Sequence, residues 1–192
     1  AERDLEKSVF MPMSEALQAL PSKVTDKPDV LPTLFEMAKM LVLPEPKEIM
    51  LQKSLGLISR IVPAERLAVL FRHEGSQDEL VTAASLLTTG RDPGSFQLSR
   101  TIVKEILTDK QAILIGDPAA DPRFARQDSI IMSEMKSAMA VPLFDEDKVL
   151  GILYVDSTNP IHRYSDDYLR LLATFANILA ARLLNYELLV ER

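Results

Sequence analysis

The sequence predicts an α+β domain: a central antiparallel β-sheet with N- and C-terminal helices packed on one face and loops on the other. Two hairpin patterns point to the sheet. RLAVLF and LVTAASLL flank the polar turn RHEGSQDE, while AMAVPLF and VLGILYVD flank DEDK. Helical periods on either side of these runs point to the helices. Strand and helix fail to alternate at both hairpins, which excludes a doubly wound parallel sheet.

Residues 1–29 carry three prolines and scattered charge without a sustained period. They read as a linker or the tail of an upstream domain, packed on something, with room for a short strand or a turn of helix. Residues 30–192 form the folded unit. VLPTLFEMAKMLVL, 30–43, repeats at helical spacing with Leu31, Leu34, Met37 or Ala38, and Leu41 on one face. PEP at 44–46 breaks it. Pro46 suits the first turn of the next helix, where its missing N–H costs nothing, and Glu48 suits that helix's dipole. Met50, Ser54, Leu57, Ile58 and Ile61 share a side, and Pro63 ends the helix.

The first hairpin turns at Gly75. TTGRDPGS is a loop, and Ser99 caps a helix through Ile102, Val103, Ile106 and Leu107. AILIG, 112–116, is a short strand, and FARQDSIIMSEMK fits a short helix or broken turn. In the second hairpin, Pro142 calls for a free edge or a bulge, and Gly151 for a bulge or a close backbone approach. Ser165 caps a last helix over about 166–190. Leu169, Leu172, Phe175 or Ala176, Leu179, Leu183, Tyr186 and Val190 form its stripe. Such a helix is ~37 Å long. That exceeds what a small sheet requires, so its end should project and its stripe should meet a partner helix.

Composition narrows the function. The 192 residues, 47% of them hydrophobic, suit one domain with extra helix or linker. Acidic residues outnumber basic ones, 28 to 22, and no basic cluster has interleaved aromatics, so no nucleic-acid partner is expected. The chain has no cysteine, which excludes disulfides, thiolate zinc sites, cysteine nucleophiles and thioether-held cofactors, and fits a reducing cytoplasm. No run approaches the ~20 apolar residues of a membrane helix, and the charged start lacks a signal peptide's apolar stretch. A first residue of Ala1 suggests a piece of a longer protein.

Catalytic chemistry finds no footing. His73 and His162 fall in turns and read as solvated surface residues. There is no GxSxG elbow, and GRDPGS lacks the lysine of a phosphate cradle. In GDPAADPRF, Asp117 and Asp121 could share a cation, with Asp128 and Asp156 as further oxygens, but the ligand rhythm of a calcium loop is missing. Aspartate before proline starts turns, so Asp117, Asp121 and Arg123 read first as loop architecture. Met132, Met135 and Met139 read as core filling, with an adaptable pocket wall as the alternative.

ILIGDPAADPRF, then SIIMSEMKS, AMAVPL, a charged turn and LGILYVDS resemble the GAF domain, as does the closing helix from YSDDYLRLLATFANILA. The resemblance spans roughly 31–190. Where many relatives have arginine–serine, this chain has Lys136–Ser137. The resemblance implies a non-catalytic sensory or regulatory module of bacterial signalling proteins. It also implies a ligand cavity between the sheet and the loops, a homodimer through the terminal helices, and an attached or associated output domain. Candidate ligand contacts are then Phe71, Ser85, Asp117, Phe124, Ile130, Met132, Ser137, Met139 and Tyr154. Candidate dimer contacts are Leu34, Leu41, Leu172, Leu179, Leu183, Tyr186 and Val190. Without cysteine no covalent bilin is held and the family's cysteine-dependent sulfoxide reductases are excluded. The cyclic-nucleotide signature of the family is not found, so a cyclic nucleotide stays open without support. The DPRF-like segment also occurs in relatives carrying a forkhead-associated domain, which residues 1–29 would then follow. The alternative to a sensor is a structural dimerisation module whose cavity is filled by Met132, Met139 and Phe124.

Overall fold

The computed structural model describes residues 8–19, 23, 26–40, 42–73, 75, 79–90, 98, 100–116, 137–144 and 148–190. Its elements are β1 (Val9–Pro12), α1 (Met13–Ala16), α2 (Val30–Met40), α3 (Lys47–Ser59), β2 (Arg66–Arg72), β3 (Leu80–Leu87), α4 (Arg100–Asp109), β4 (Gln111–Ile115), β5 (Ser137–Phe144), β6 (Val149–Ser157) and α5 (Asp166–Val190). The strands form one six-stranded sheet in the order β1-β4-β5-β6-β2-β3. Every neighbouring pair is antiparallel.

Both predicted hairpins form, and each is a neighbour pair in the sheet. The two hairpins then meet through β2 and β6, where Leu67 faces Val155 and Val69 faces Leu153. β6 is buried along its whole length, as is β5 up to Leu143. Burial on both faces explains why these runs are nearly continuously apolar instead of alternating. Gly151 fits its strand for a steric reason: a Cβ there would lie 2.0 Å from the Leu70 carbonyl oxygen. Pro142 sits beyond the β4 ladder, which ends on Ala140, and just before an irregularity between Leu143 and Phe144. The proline thus falls where its strand has lost one neighbour.

Side chains alternate across the sheet, giving it two cores. Leu67, Val69, Met139, Val141, Leu153 and Val155 pack on one face against α3 and α5. Leu70, Ile113, Ala138, Ala140, Ile152 and Tyr154 pack on the other with Ile102, Val103, Ile106 and Leu107 of α4. The face assigned to loops therefore carries a helix, α4. Lys110, at φ 50°, makes the left-handed turn that folds α4 back beside β4.

Within the lead-in, where the sequence left room for a short strand or a turn of helix, the chain forms edge strand β1, with Val9 opposite Leu114, and buries Met13 and Ala16. Four residues are too few to show a period, and the strand exists because β4 offers a free edge. In α2 the buried side is Val30, Thr33, Met37 and Met40, while Leu31 is 62% and Phe35 66% exposed. The helix is apolar on opposite sides, so periodicity alone could not choose between them. Finally, Leu172, Leu179 and Leu183 of α5 are buried in the chain's own core. This part of the stripe assigned to a partner helix instead covers the chain's own sheet.

Candidate functional site

The loop face holds one polar cluster in an apolar floor. Arg66 of β2 and Asp156 of β6 are register partners, and Tyr154 lies two residues along β6 on the same face. Asp156 is opposite Ala138 and Tyr154 opposite Ala140 on β5, so the cluster's neighbours across that ladder are small side chains. Arg66 Nε lies 3.3 and 3.2 Å from the two Asp156 carboxylate oxygens, and its Nη2 also donates to Oδ2. The Tyr154 hydroxyl donates to the same Oδ2 at 2.7 Å. All three residues are buried.

Low dielectric makes such a cluster sharply dependent on its members. Burial opposes the Arg66 charge, but the hydrogen bond and charge of Asp156 more than compensate and hold its pKa above the ordinary value. Burial, followed by the Asp156 charge, pushes the Tyr154 phenol well above its ordinary range. Tyr164 is pushed up as well, by burial first and then by Asp156 and Glu65, and its hydroxyl has no hydrogen-bond partner among the described residues. The strand end is pinned next to the cluster. Thr158 donates its N–H and hydroxyl to Glu65 at 3.0 and 2.7 Å, and Ser157 Oγ lies 2.9 Å from His162 Nδ1.

The sequence-predicted contacts divide between the faces. Tyr154 is on the loop face, and Ser85, exposed on edge strand β3, pairs with Ala68 in the same row. Phe71 and Met139 belong to the helix-side core, so neither meets Tyr154 across the loop face. Ser137 has the same strand parity as Met139 and accepts a hydrogen bond from the Tyr164 N–H at 3.4 Å. Asp117, Asp121, Arg123, Phe124, Ile130 and Met132 lie outside the described residues. Of the dimer candidates, Leu34 is half-buried against the core and Tyr186 half-buried, with its hydroxyl on the Glu45 carbonyl. Leu41 and the side chain of Val190 also fall outside the described residues.

Arg66 was missed. The available signal was a charge opening one apolar run, RLAVLF, and an opposite charge closing another, ILYVD, because charges in buried strands need partners. Asp156 thus serves Arg66 and Tyr154, where the sequence had offered it as an oxygen for a cation. Among the described residues no group of three or more histidines, cysteines, aspartates or glutamates is placed to hold a metal ion. A separate groove of about 490 Å³ opens between α2 and α3, lined by Met40, Leu43, Glu45, Gly56, Leu57 and others. It is remote from the polar cluster, on the helical side.

The GAF domain model of the family matches residues 47–183. The chain belongs to the GAF domain family. This GAF domain is similar in structure to that of a phosphoenolpyruvate-protein phosphotransferase (ptsP) from Coxiella burnetii, with TM-score 0.67, 15% identity and coverage of 89% of this chain and 100% of that one. It is also similar to the phycocyanobilin-bound GAF domain of a cyanobacterial phytochrome, with TM-score 0.68, 14% identity and coverage of 82% and 95%. A third similar structure is free methionine-R-sulfoxide reductase from Neisseria meningitidis, solved with its substrate, with TM-score 0.61, 20% identity and coverage of 85% and 92%. At these identities the likeness establishes the fold. No curated protein matches in sequence. GAF domains are typically sensory or regulatory modules and generally non-catalytic, and this one has no thiol for a covalent bilin or cysteine chemistry. No helix among the described residues is long and apolar enough to cross a membrane.

Proposed function

We propose that this GAF domain senses a small molecule on the loop face of its sheet and, as a homodimer, passes the state of that site through its terminal helices to an attached or associated output domain. The observation that carries the reading is the buried Arg66–Asp156–Tyr154 cluster set among Ala68, Ala138 and Ala140. An apolar floor with a few convergent polar groups is what a ligand site needs. Tyr154 and Ser85 remain the described candidates for contact, with Asp117, Phe124, Ile130 and Met132 as the candidates from the covering segment, and Asp117, Asp121 and Arg123 as its architecture. A cyclic nucleotide is one open ligand class. A reducing cytoplasm is the compartment that fits a chain without cysteine.

The dimer half of the reading rests on α2. Leu31, Phe35, Ala38 and Val42 are exposed at spacings that fit one helical stripe. Sedimentation of the wild type and of Phe35→Glu tests it: the wild type is expected as a dimer and the variant as a monomer. A monomeric wild type contradicts it. The ligand half is tested by what the purified protein carries: a stoichiometric small molecule supports it, and bare protein contradicts it.

One observation favours a purely structural module instead. Ile102, Ile106 and Leu107 of α4 already occupy part of the loop face. Met139, offered from sequence as a filler of the cavity, cannot serve there, because it is buried on the opposite face.

A further inference from the structure

The connector between α2 and α3 is tied to the far end of α5. Arg182 donates from its guanidinium to the Leu43 carbonyl, and Tyr186 donates its hydroxyl to the Glu45 carbonyl. Four residues apart, these two side chains project from successive turns on one face of α5. They also brace each other, with the Arg182 guanidinium 4.7 Å from the Tyr186 ring centroid. The connector is held to α3 as well, through the Glu45 carboxylate and Lys53. α2 and α3 are bridged by Glu36 and Arg60 at 3.6 Å. Pro44 and Pro46 limit how far the connector can bend between these ties.

The position of the ties along α5 matters. Up to Leu183 the helix is seated on the sheet by buried side chains. Past it, Leu184 and Tyr186 are half-buried and Asn185 is exposed. Tyr186 is thus the outer of these two polar ties, one turn beyond Arg182 and past the last fully buried side chain among the described ones, Leu183. Displacing α2 would shift the Leu43 and Glu45 carbonyls, and those carbonyls grip two turns of α5.

We propose that Leu43–Pro46 is a strap coupling the N-terminal helical pair directly to the exit end of α5. An input reaching α2 from upstream then changes the last turns of α5 by a route that does not cross the sheet. No ligand on the loop face is required. The element with two states is the end of α5, gripped by the strap or released from it.

Hydrogen exchange on the intact chain separates this from general stabilisation. Tyr186→Phe removes one hydroxyl and keeps the ring. Pro44→Gly softens the connector at an exposed position between the two tied carbonyls. Tyr186→Phe is expected to speed exchange over residues 183–190 by roughly fivefold to tenfold, the loss of one net hydrogen bond, and Pro44→Gly is expected to speed it over the same residues by loosening both ties. Exchange over Leu169–Leu179 should stay at the wild-type rate. Support requires the local change in both variants. An unchanged rate at 183–190 in either one overturns the strap, and so does an equal increase along the whole of α5.

Discussion

Arg66 and Asp156 face each other across the central β2–β6 ladder and form a forked, buried ion pair to which Tyr154 adds a third hydrogen bond. Two strands from different hairpins are thereby joined by charge as well as by their backbone ladder. Removing one member leaves the other charged and buried. Asp156→Ala is expected to lose about 3–5 kcal/mol of unfolding free energy. Arg66→Met combined with Asp156→Leu should lose less than the single variant, because neither charge is then stranded. Urea unfolding of the three proteins checks the order.

Tyr154 and Tyr164 are both buried phenols, but only Tyr154 has a partner for its hydroxyl among the described residues. Tyr154→Phe gives up a bond to a carboxylate and should cost about 1.5–3 kcal/mol. Tyr164→Phe removes an unsatisfied hydroxyl and should be near neutral or stabilising at pH 7. Thermal melts of the two variants side by side test the contrast.

The same tyrosines set an alkaline limit. Each folded phenol is raised above its unfolded value of about 10. Below that pH both states hold the proton, and the stability from this source is fully present. As pH rises past about 10 the unfolded chain loses protons that the folded chain keeps, so stability falls by up to ~1.4 kcal/mol per pH unit per tyrosine. The fall continues until the folded phenols ionise. Unfolding free energy measured between pH 8 and 11 should show a slope that is shallower in Tyr154→Phe and in Tyr164→Phe.

Glycine-to-alanine changes at two positions should have opposite signs. A Cβ at Gly151 meets the Leu70 carbonyl oxygen at 2.0 Å, and the backbone there cannot yield without opening the β2–β6 ladder. Gly151→Ala is expected to cost about 3 kcal/mol or more. Gly56 lies inside α3 with nothing within 4 Å of an added Cβ. Gly56→Ala should gain about 0.5–1 kcal/mol from helix propensity. Chemical denaturation of both variants decides it.

The hairpins were readable because each combines a polar turn with apolar flanks, and Gly151 was readable because glycine inside such a flank has few other reasons to be there. β1 was legible only as room for a short strand, without a place or a partner. VFMP has no signal of its own and becomes a strand only beside β4. The two-sided apolar character of α2 hid which side faces inward, and the α5 stripe carried no mark to tell a partner helix from the chain's own sheet. At the site, strand order was the missing information. Tyr154 could be named from its position in LYVD, but Arg66 is 90 residues away from Asp156 and meets it only because β2 pairs with β6.

The most direct test of a sensor on the loop face is native mass spectrometry of gently purified protein, wild type beside Tyr154→Phe. A dimer carrying a stoichiometric extra mass is expected in the wild type, with the extra mass reduced or lost in the variant. A wild type that flies bare, or an extra mass that Tyr154→Phe leaves untouched, contradicts ligand sensing through the Arg66–Asp156–Tyr154 cluster.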